Sequence, residues 1–136
     1  MDVDQVSDLI SEGFTDRPRL CLLTSRMAST LEHNITGDTI RAVKRRLNAC
    51  SEEVSQAIRR AIPHWTPEES RRGMRMIFVL VAGLYPMTHP PAHVKSVMNE
   101  PEFQDVVPEF VPSVRVAARA MFRGIESMAL QRQNGI

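Results

Sequence analysis

Apolar residues recur at spacings of three and four along most of the chain, which is the spacing of a helix with one apolar side. A first helix is predicted from Val3, Val6, Ile10 and Phe14. A second is predicted from Leu20, Leu23, Met27 and Leu31. Sustained alternation of apolar and polar residues, which would indicate strands, is not found. The pattern therefore predicts an all-α protein with five main helices and one minor helix.

Capping residues and prolines place the ends of the early helices. Asp16 is predicted to cap the second helix, with Pro18 in its first turn, where the missing N–H costs little. This helix is expected to stop near Asn34. Asp38 is predicted to cap the third helix, which Pro63 ends.

The third helix has the most regular amphipathic pattern. Its apolar positions are Ile40, Val43, Leu47, Cys50, Val54, Ala57 and Ala61. The opposite face contains the basic run RAVKRR, which begins at Arg41. This arrangement predicts a helix that packs on one side and faces solvent on the other.

Proline and capping signals also delimit the second half of the chain. The stretch TPEE, from Thr66 to Glu69, is typical of a capping box with a first-turn proline, so a fourth helix begins there. We predict that it ends at Pro86. A short helix is expected over 91–99, and the last helix begins near Glu109. Residues 129–136 are expected to form a frayed tail of a single domain spanning 1–136.

The fourth helix contains an unusual run. From Met76 to Tyr85 no residue is charged, and the run is apolar on every side. A helix of this kind must be covered all round. Either the chain wraps it completely, as in a monomeric bundle, or a second copy of the chain supplies part of the cover.

Composition and charge narrow the class of protein. Of 136 residues, 43% are hydrophobic and 24% charged, with a net charge of +1. These values are typical of a globular domain and do not favour binding of a polyanion by the whole chain. The apolar runs are too short for a membrane span, and the acidic start differs from a signal peptide. Cys21 and Cys50 are interpreted as buried free thiols of a cytoplasmic protein.

Candidate catalytic and metal sites are weak. No nucleophile lies beside a base on a special turn, so enzymatic activity is not predicted. His89 and His93 are four residues apart, but two prolines separate them, and we expect neither a metal site nor a cofactor. The basic run of the third helix and the arginines at 115, 119 and 123 are more typical of solvated faces. Direct DNA binding by this chain alone is therefore not expected.

The order of these helices resembles a known family. The features are LEHN at the end of a helix, the long basic amphipath, TPEE, and a helix that ends in VAGLYPMTHPP. A last helix follows that begins FVPSVRVAARAMFRGI. This pattern is similar to the C-terminal, ligand-sensing and dimerising domain of TetR-family transcriptional regulators.

The resemblance implies a homodimer. The last two long helices would form a four-helix bundle across a two-fold axis, and small residues would let the backbones approach closely. Gly73 and Ala82 of the fourth helix and Ala120 of the last helix are expected to contribute to this approach. The candidate interface residues are Val79, Gly83, Ala117, Met121, Gly124 and Met128.

The resemblance also implies a cavity for a small apolar or amphipathic effector. The candidate lining residues are Leu23, Met27, Leu31, His33, Met74 and Phe78. For each apolar member taken alone, ordinary core is the favoured interpretation, and for His33 a helix cap is favoured over a place in the cavity wall.

The predicted function is thus effector sensing coupled to DNA binding by an N-terminal helix-turn-helix domain, which is not recognisable in these residues. The first 15 residues match only the linker helix that would lead to it. The chain is then a fragment of a longer regulator, a natural protein without the DNA-binding domain, or a truncated product, and Met1 favours a real or engineered start. An alternative is an interaction protein that pairs with a full-length regulator. Another is a purely structural dimerisation module.

Overall fold

The computed structural model describes residues 1–106 and 108–136, with all of their side chains except those of Ala28, Leu31 and Glu32. Six helices form the body of this part of the chain, and no strand is present in it. They are α1 (Val3–Thr15), α2 (Pro18–Arg26), α3 (Gly37–Ala61), α4 (Pro67–Thr88), α5 (Ala92–Met98) and α6 (Phe110–Gln133). A π-helical segment (Met27–Leu31) and one short turn (Glu32–Asn34) extend α2, and a 3₁₀ turn (Gln104–Val106) follows α5. The all-α prediction is confirmed.

Several predicted helix ends agree with the structure. At the start of α4 the Glu69 backbone N–H donates to Thr66 Oγ1 over 3.2 Å, and the Thr66 N–H donates to the Glu69 carboxylate over 2.7 Å. This is the reciprocal pair of a capping box. The short α5 lies within the predicted range, and Glu109 is the N-cap of α6.

Two predicted caps are wrong. Asp16 closes the end of α1, because its backbone N–H donates to the Glu12 carbonyl, and Arg17 occupies the N-cap of α2. Thr36 caps α3 by accepting from the Thr39 N–H, while Asp38 lies inside the first turn and pairs with Arg41 over 2.7 Å. The cap of α3 thus lies two residues before the predicted one, whereas α2 has no side-chain cap.

The end of α4 is also later than predicted, since the helix passes through Pro86 and ends at Thr88. Proline removes one N–H from the helical ladder. The hydroxyl of Thr88 donates to the carbonyls of Leu84 and Tyr85, at 3.1 and 3.2 Å, and the His89 N–H also donates to Tyr85. These bonds cap the carbonyls of the last turn, which therefore continues for two residues beyond the proline.

The C-terminus of α6 is held by side chains, and the helix continues to Gln133 although loss of helix was expected from residue 129. Arg132 donates to both carboxylate oxygens of Glu69, at 3.0 and 3.2 Å, and to the carbonyl of His64 at 3.1 Å. The bond from Arg132 lowers the pKa of the Glu69 carboxyl. This contact ties the end of α6 to the start of α4.

The centre of the core is the contact between α4 and α6. Phe122 of α6 is fully buried and its ring centroid lies 5.4 Å from that of Trp65, which is itself buried. The indole N–H of Trp65 donates to Glu126 over 2.6 Å. A Cβ added at Gly73 would lie 3.1 Å from the Phe122 ring. Gly73 therefore permits close packing inside the protomer and does not face a partner as the sequence suggested.

Helix α1 lies along α6 in the most extensive contact between two helices of the described chain. Ser7 and Ser11 of α1 are buried there, and each hydroxyl donates to a carbonyl of its own helix, at 2.9 and 2.7 Å. Their small size lets the two backbones approach, and their polar atoms are satisfied locally.

Three ion pairs flank this contact, and we refer to them as the charge ladder. Arg123 binds Asp4, Arg119 binds Asp8, and Arg115 binds Glu12. Arg119 contacts both oxygens of Asp8, with its Nε at 2.7 Å. The arginines were interpreted from sequence as a solvated edge, and their side chains are indeed 41–64% exposed. Their attachment of α1 to α6 was not predicted.

The two cysteines have different environments, so the prediction that both are buried is correct for Cys21 and wrong for Cys50. Cys21 is fully buried, and its thiol donates to the Phe14 carbonyl over 3.2 Å. Burial raises the pKa of the Cys21 thiol. Cys50 is exposed, and neither forms a disulfide. No helix in the described part of the chain is long and apolar enough to cross a bilayer.

The first prediction concerns the Gly73 contact. Replacing a helical glycine by alanine stabilises a helix by about 1 kcal/mol, whereas overpacking a filled core costs about 1–3 kcal/mol. Gly13 of α1 has no atom closer than 3.8 Å to an added Cβ, so it is the matched control. We expect the free energy of unfolding of Gly73→Ala to lie about 1–3 kcal/mol below that of Gly13→Ala. Urea denaturation at one protein concentration measures both. Equal free energies of unfolding for the two variants would show that the Phe122 ring moves aside without cost, which would contradict the prediction.

The second prediction concerns the charge ladder. The hydrogen bond from its arginine lowers the pKa of Asp8, as it does that of Asp4. Such carboxylates stabilise the folded state above the ordinary aspartate pKa, and this contribution is lost as the pH falls through their lowered values. Asp8→Asn should therefore melt below the wild type at pH 7, and the difference should shrink below about pH 4. Asp105→Asn, outside the ladder, is the control. A difference that is independent of pH would contradict the assignment.

Candidate ligand-binding groove

Helix α4 has different surroundings on its different sides. Ile77 and Val81 are fully buried in the core, while Met76 and Val79 are exposed. Between these two sides, Phe78 and Ala82 border open space. The run that is apolar on every side is therefore covered by its own chain on only part of its circumference.

The open space arises because α3 is packed at one end only. The buried residues of α3 are Ser55 and Ile58, both in its second half. Its apolar stripe continues towards the N-terminus through Leu47, Val43 and Ile40, none of which is fully buried. The first half of α3 thus stands away from α2 and leaves an apolar groove.

The groove has three adjoining compartments. The first lies between α1, α2, α3 and α4, has a volume of about 400 Å³, and is lined by Ile10, Phe14, Leu20, Val54, Met74 and Phe78 among others. Phe14 and Phe78 contact each other edge to face, with ring centroids 5.4 Å apart. Through Phe14 and Ile10, helix α1 forms part of this wall.

The second compartment, also about 400 Å³, lies between α2, α3 and α4, and its apolar lining includes Leu20, Leu23, Met27, Phe78 and Ala82. The third, about 250 Å³, lies where the π-helical end of α2 faces the start of α3. Met27 and Leu23 line both of these compartments. A π-helical segment widens a helix locally and is common at functional sites.

Leu47 lines all three compartments, so they follow one face of α3. From Ile40 to Val54 this face is about 20 Å long at 1.5 Å per residue. Ligand sites of proteins commonly have volumes of about 300–1,000 Å³ and mostly apolar walls with a few polar groups. The groove has these properties.

The polar groups of the groove are few and their charges have one sign. Lys44 and Arg75 line the second compartment, Lys44 also lines the third, and Arg17 lines the first. Arg75 pairs with Glu68 over 2.5 Å, and Arg17 donates to the Gly13 carbonyl. Within the described residues no aspartate or glutamate lines any of the three compartments.

The structure brings most of the predicted pocket residues to this groove. Leu23, Met27, Met74 and Phe78 line it. His33 lies in the turn that follows the π-helical segment and is not among the lining residues. The side chain of Leu31 lies outside the described residues. Binding of a ligand at these positions remains a prediction.

The lining residues that sequence reasoning missed come mainly from α1 and α3. Ile10, Leu20 and Leu47 were assigned from sequence only to the apolar stripes of their helices. No signal in the sequence separates them from core residues, because the same helical spacing serves a core and the wall of a groove.

Two further cavities have more charged walls. One of about 420 Å³ lies between the start of α1 and the turn after α3, and is lined by Asp2, Asp4, His64 and Glu126 among others. His64 and Glu126 bind each other there over 2.8 Å. The second, about 240 Å³, adjoins the groove and contains the Glu52–Arg71 ion pair. Both have several charged groups, so they are less suited to an apolar ligand than the groove.

The six candidate interface residues lie at the surface of α4 and α6. Met128 is 46% exposed, Gly83 and Gly124 are exposed, and Ala117 and Met121 are half-buried. Val79 is 68% exposed and also borders the second compartment of the groove. An added Cβ at Gly83 or Gly124 would meet no atom within 4 Å. We call the exposed apolar strips of these two helices the outward face. Its role as a dimer interface remains a prediction.

Comparison with known proteins agrees with this geometry. The family model described as the tetracyclin repressor-like C-terminal domain matches residues 1–129. No curated protein and no solved structure shows a significant match to the chain. Since the family match covers nearly all of the 136 residues and the fold is all-α, the chain belongs to the tetracyclin repressor-like (TetR) C-terminal domain family.

Proposed function

We propose that this chain is the effector-sensing and dimerising domain of a TetR-like transcriptional regulator that acts in the cytoplasm. In this proposal a small apolar or amphipathic molecule binds the groove, and binding changes the position of α1. The N-terminal end of α1 is the end that would connect to a DNA-binding domain. The chain itself has no catalytic role and does not bind DNA alone.

The observation that carries the proposal is the groove. Its compartments of about 400, 400 and 250 Å³ adjoin along α3, and their walls are formed by leucines, methionines and phenylalanines. Methionine side chains adapt to ligands of different shape. Family membership supports the same reading, because regulators of this kind are characterised by ligand-binding and dimerising domains.

Coupling to α1 is supported by two contacts of that helix. Phe14 and Ile10 form part of the first compartment, so a ligand there touches α1 directly. The charge ladder joins the same helix to α6. A ligand that binds one position of α1 better than another would shift the population of α1 positions. Two protomers joined through α6 would then change the separation of two DNA-binding domains.

Homodimer formation is supported by the outward face. Val79 and Met87 are 68% and 66% exposed on α4, and Val116 is 69% exposed on α6. Exposed apolar surface of this kind is typical of protein interfaces. Gly83 and Gly124 would let a partner helix approach closely, since neither is contacted within the protomer. A two-fold contact would bring equivalent residues of two copies together.

The third prediction tests the groove with the neutral probe 1-decanol. A ligand at a hundred times its dissociation constant stabilises a protein by about 2.7 kcal/mol, so the melting temperature should rise. Met27→Trp should fill the shared wall of two compartments and abolish this rise. Met87→Trp is the matched control, because this residue lies on the outward face and away from the groove. It should keep the rise in melting temperature. A Met27→Trp variant that keeps the full rise of the wild type would contradict the groove as the binding site.

The fourth prediction tests the dimer by sedimentation. The wild type should have about twice the mass of the 15.4 kDa chain at micromolar concentration. Gly124→Glu should give monomers, because the carboxylate would be buried without a partner in the dimer. Within the protomer the site is open, so the variant should still fold.

Ala42→Glu, at an exposed position of α3, places the same charge outside the outward face and should remain dimeric. A wild type that stays monomeric at high concentration, or a Gly124→Glu variant that stays dimeric, would contradict the interface.

A further inference from the structure

We propose that the effector is a long-chain amphipath with an anionic head group, bound with its chain along α3 and its head beside Lys44 and Arg75. The inference rests on the proposed function, because it names the chemical class of ligand that the groove takes.

The shape of the groove indicates an extended molecule. Its three compartments succeed one another along a helix face of about 20 Å, and Leu47 borders each of them. A compact ligand would fill one compartment and leave the apolar walls of the others in water. With its head group in the middle compartment, a flexible alkyl chain can pass into the adjoining first compartment and cover the apolar walls of both.

The charges of the groove indicate the sign of the head group. Lys44 and Arg75 line the middle compartment, which adjoins both others, and Arg17 lines the first. Acidic side chains do not line these compartments in the part of the chain that the structure describes. Arg75 also pairs with Glu68, and both side chains of that pair are more than half exposed, so replacing Glu68 by a ligand carboxylate costs little.

The surrounding charge has the same sign. Residues 17–51, which form α2 and the first half of α3, contain seven lysines and arginines and only two acidic residues. The complete chain has a net charge of only +1. The positive charge is thus concentrated at the helices that border the groove, where it attracts an anion and repels a cation. A quaternary ammonium would need acidic groups or an aromatic cage, and the described lining supplies only two phenylalanines, Phe14 and Phe78.

Three probes with the same ten-carbon chain test the inference: decanoate, 1-decanol and decyltrimethylammonium. Titration calorimetry at pH 7.5, below the micelle concentration of each, should give the tightest binding for decanoate, at least about tenfold over 1-decanol. Decyltrimethylammonium should bind most weakly. The advantage of decanoate should decrease as salt is added, because the groove is partly open to solvent.

Two variants separate a local contact from the general field. Lys44→Met should weaken decanoate binding by about tenfold, because it removes the charged hydrogen bond to the carboxylate. It should leave the affinity for 1-decanol unchanged, because that probe has no charge. The neighbouring Arg45 lies about 160° around α3 from Leu47 and does not line the groove. Arg45→Met removes the same charge and should leave the affinity for both probes nearly unchanged.

The outcomes distinguish this inference from the proposed function. Equal affinity for all three probes, tighter binding of the cation, or equal effects of Lys44→Met and Arg45→Met would overturn the anionic head group while the groove remains a ligand site. Absence of binding by all three probes would overturn both proposals.

Discussion

The close contact of α4 and α6 around Phe122 is the constraint on which the other features depend. Phe122 fits between Trp65 and the bare backbone of Gly73, so the two helices approach more closely than side chains on both would allow. The Arg132–Glu69 pair secures the same contact at one end, and the ring of Tyr85 against Phe110, with centroids 5.2 Å apart, secures the other. Since one side of α4 is buried against α6, only its other sides can border the groove and the outward face.

The groove is a consequence of the way α3 is anchored. Helix α3 has 25 residues, and its C-terminal half is anchored in the core by Ile58. Its N-terminal half is not buried, although α2 with its π-helical segment and the short turn after it runs from Pro18 to Asn34. The apolar stripe of that half therefore borders a groove. An apolar groove of this size is stabilised when a ligand removes its walls from water.

Helix α1 connects the two halves of the proposed mechanism. One part of its surface, at Phe14, belongs to the wall of the groove, and another, at Asp4 and Asp8, is bound to arginines of α6. Buried Ser7 and Ser11 keep α1 close to α6, so a movement of α1 must either slide along α6 or carry it. The charge ladder favours the observed register, because a shift by one helical turn would re-form only two of its three pairs. In the proposed mechanism this contact would be the route from a ligand in the groove to a dimer contact on α6.

Local sequence determined the number and order of the helices, the capping box from Thr66 to Glu69, and the family. These depend on bonds between residues three or four apart or on apolar spacing, so they can be predicted from the sequence before the fold is known. Tertiary structure alone decided which side of a helix meets which neighbour. Gly73 faces Phe122 inside the protomer, and Arg119 binds Asp8, which lies 111 residues away in the chain. Cys50 is exposed because α3 stands away from α2. Helical periodicity shows that one side of a helix is apolar. Which residues of other helices cover that side depends on the angles and distances at which the helices pack, and local sequence does not determine these.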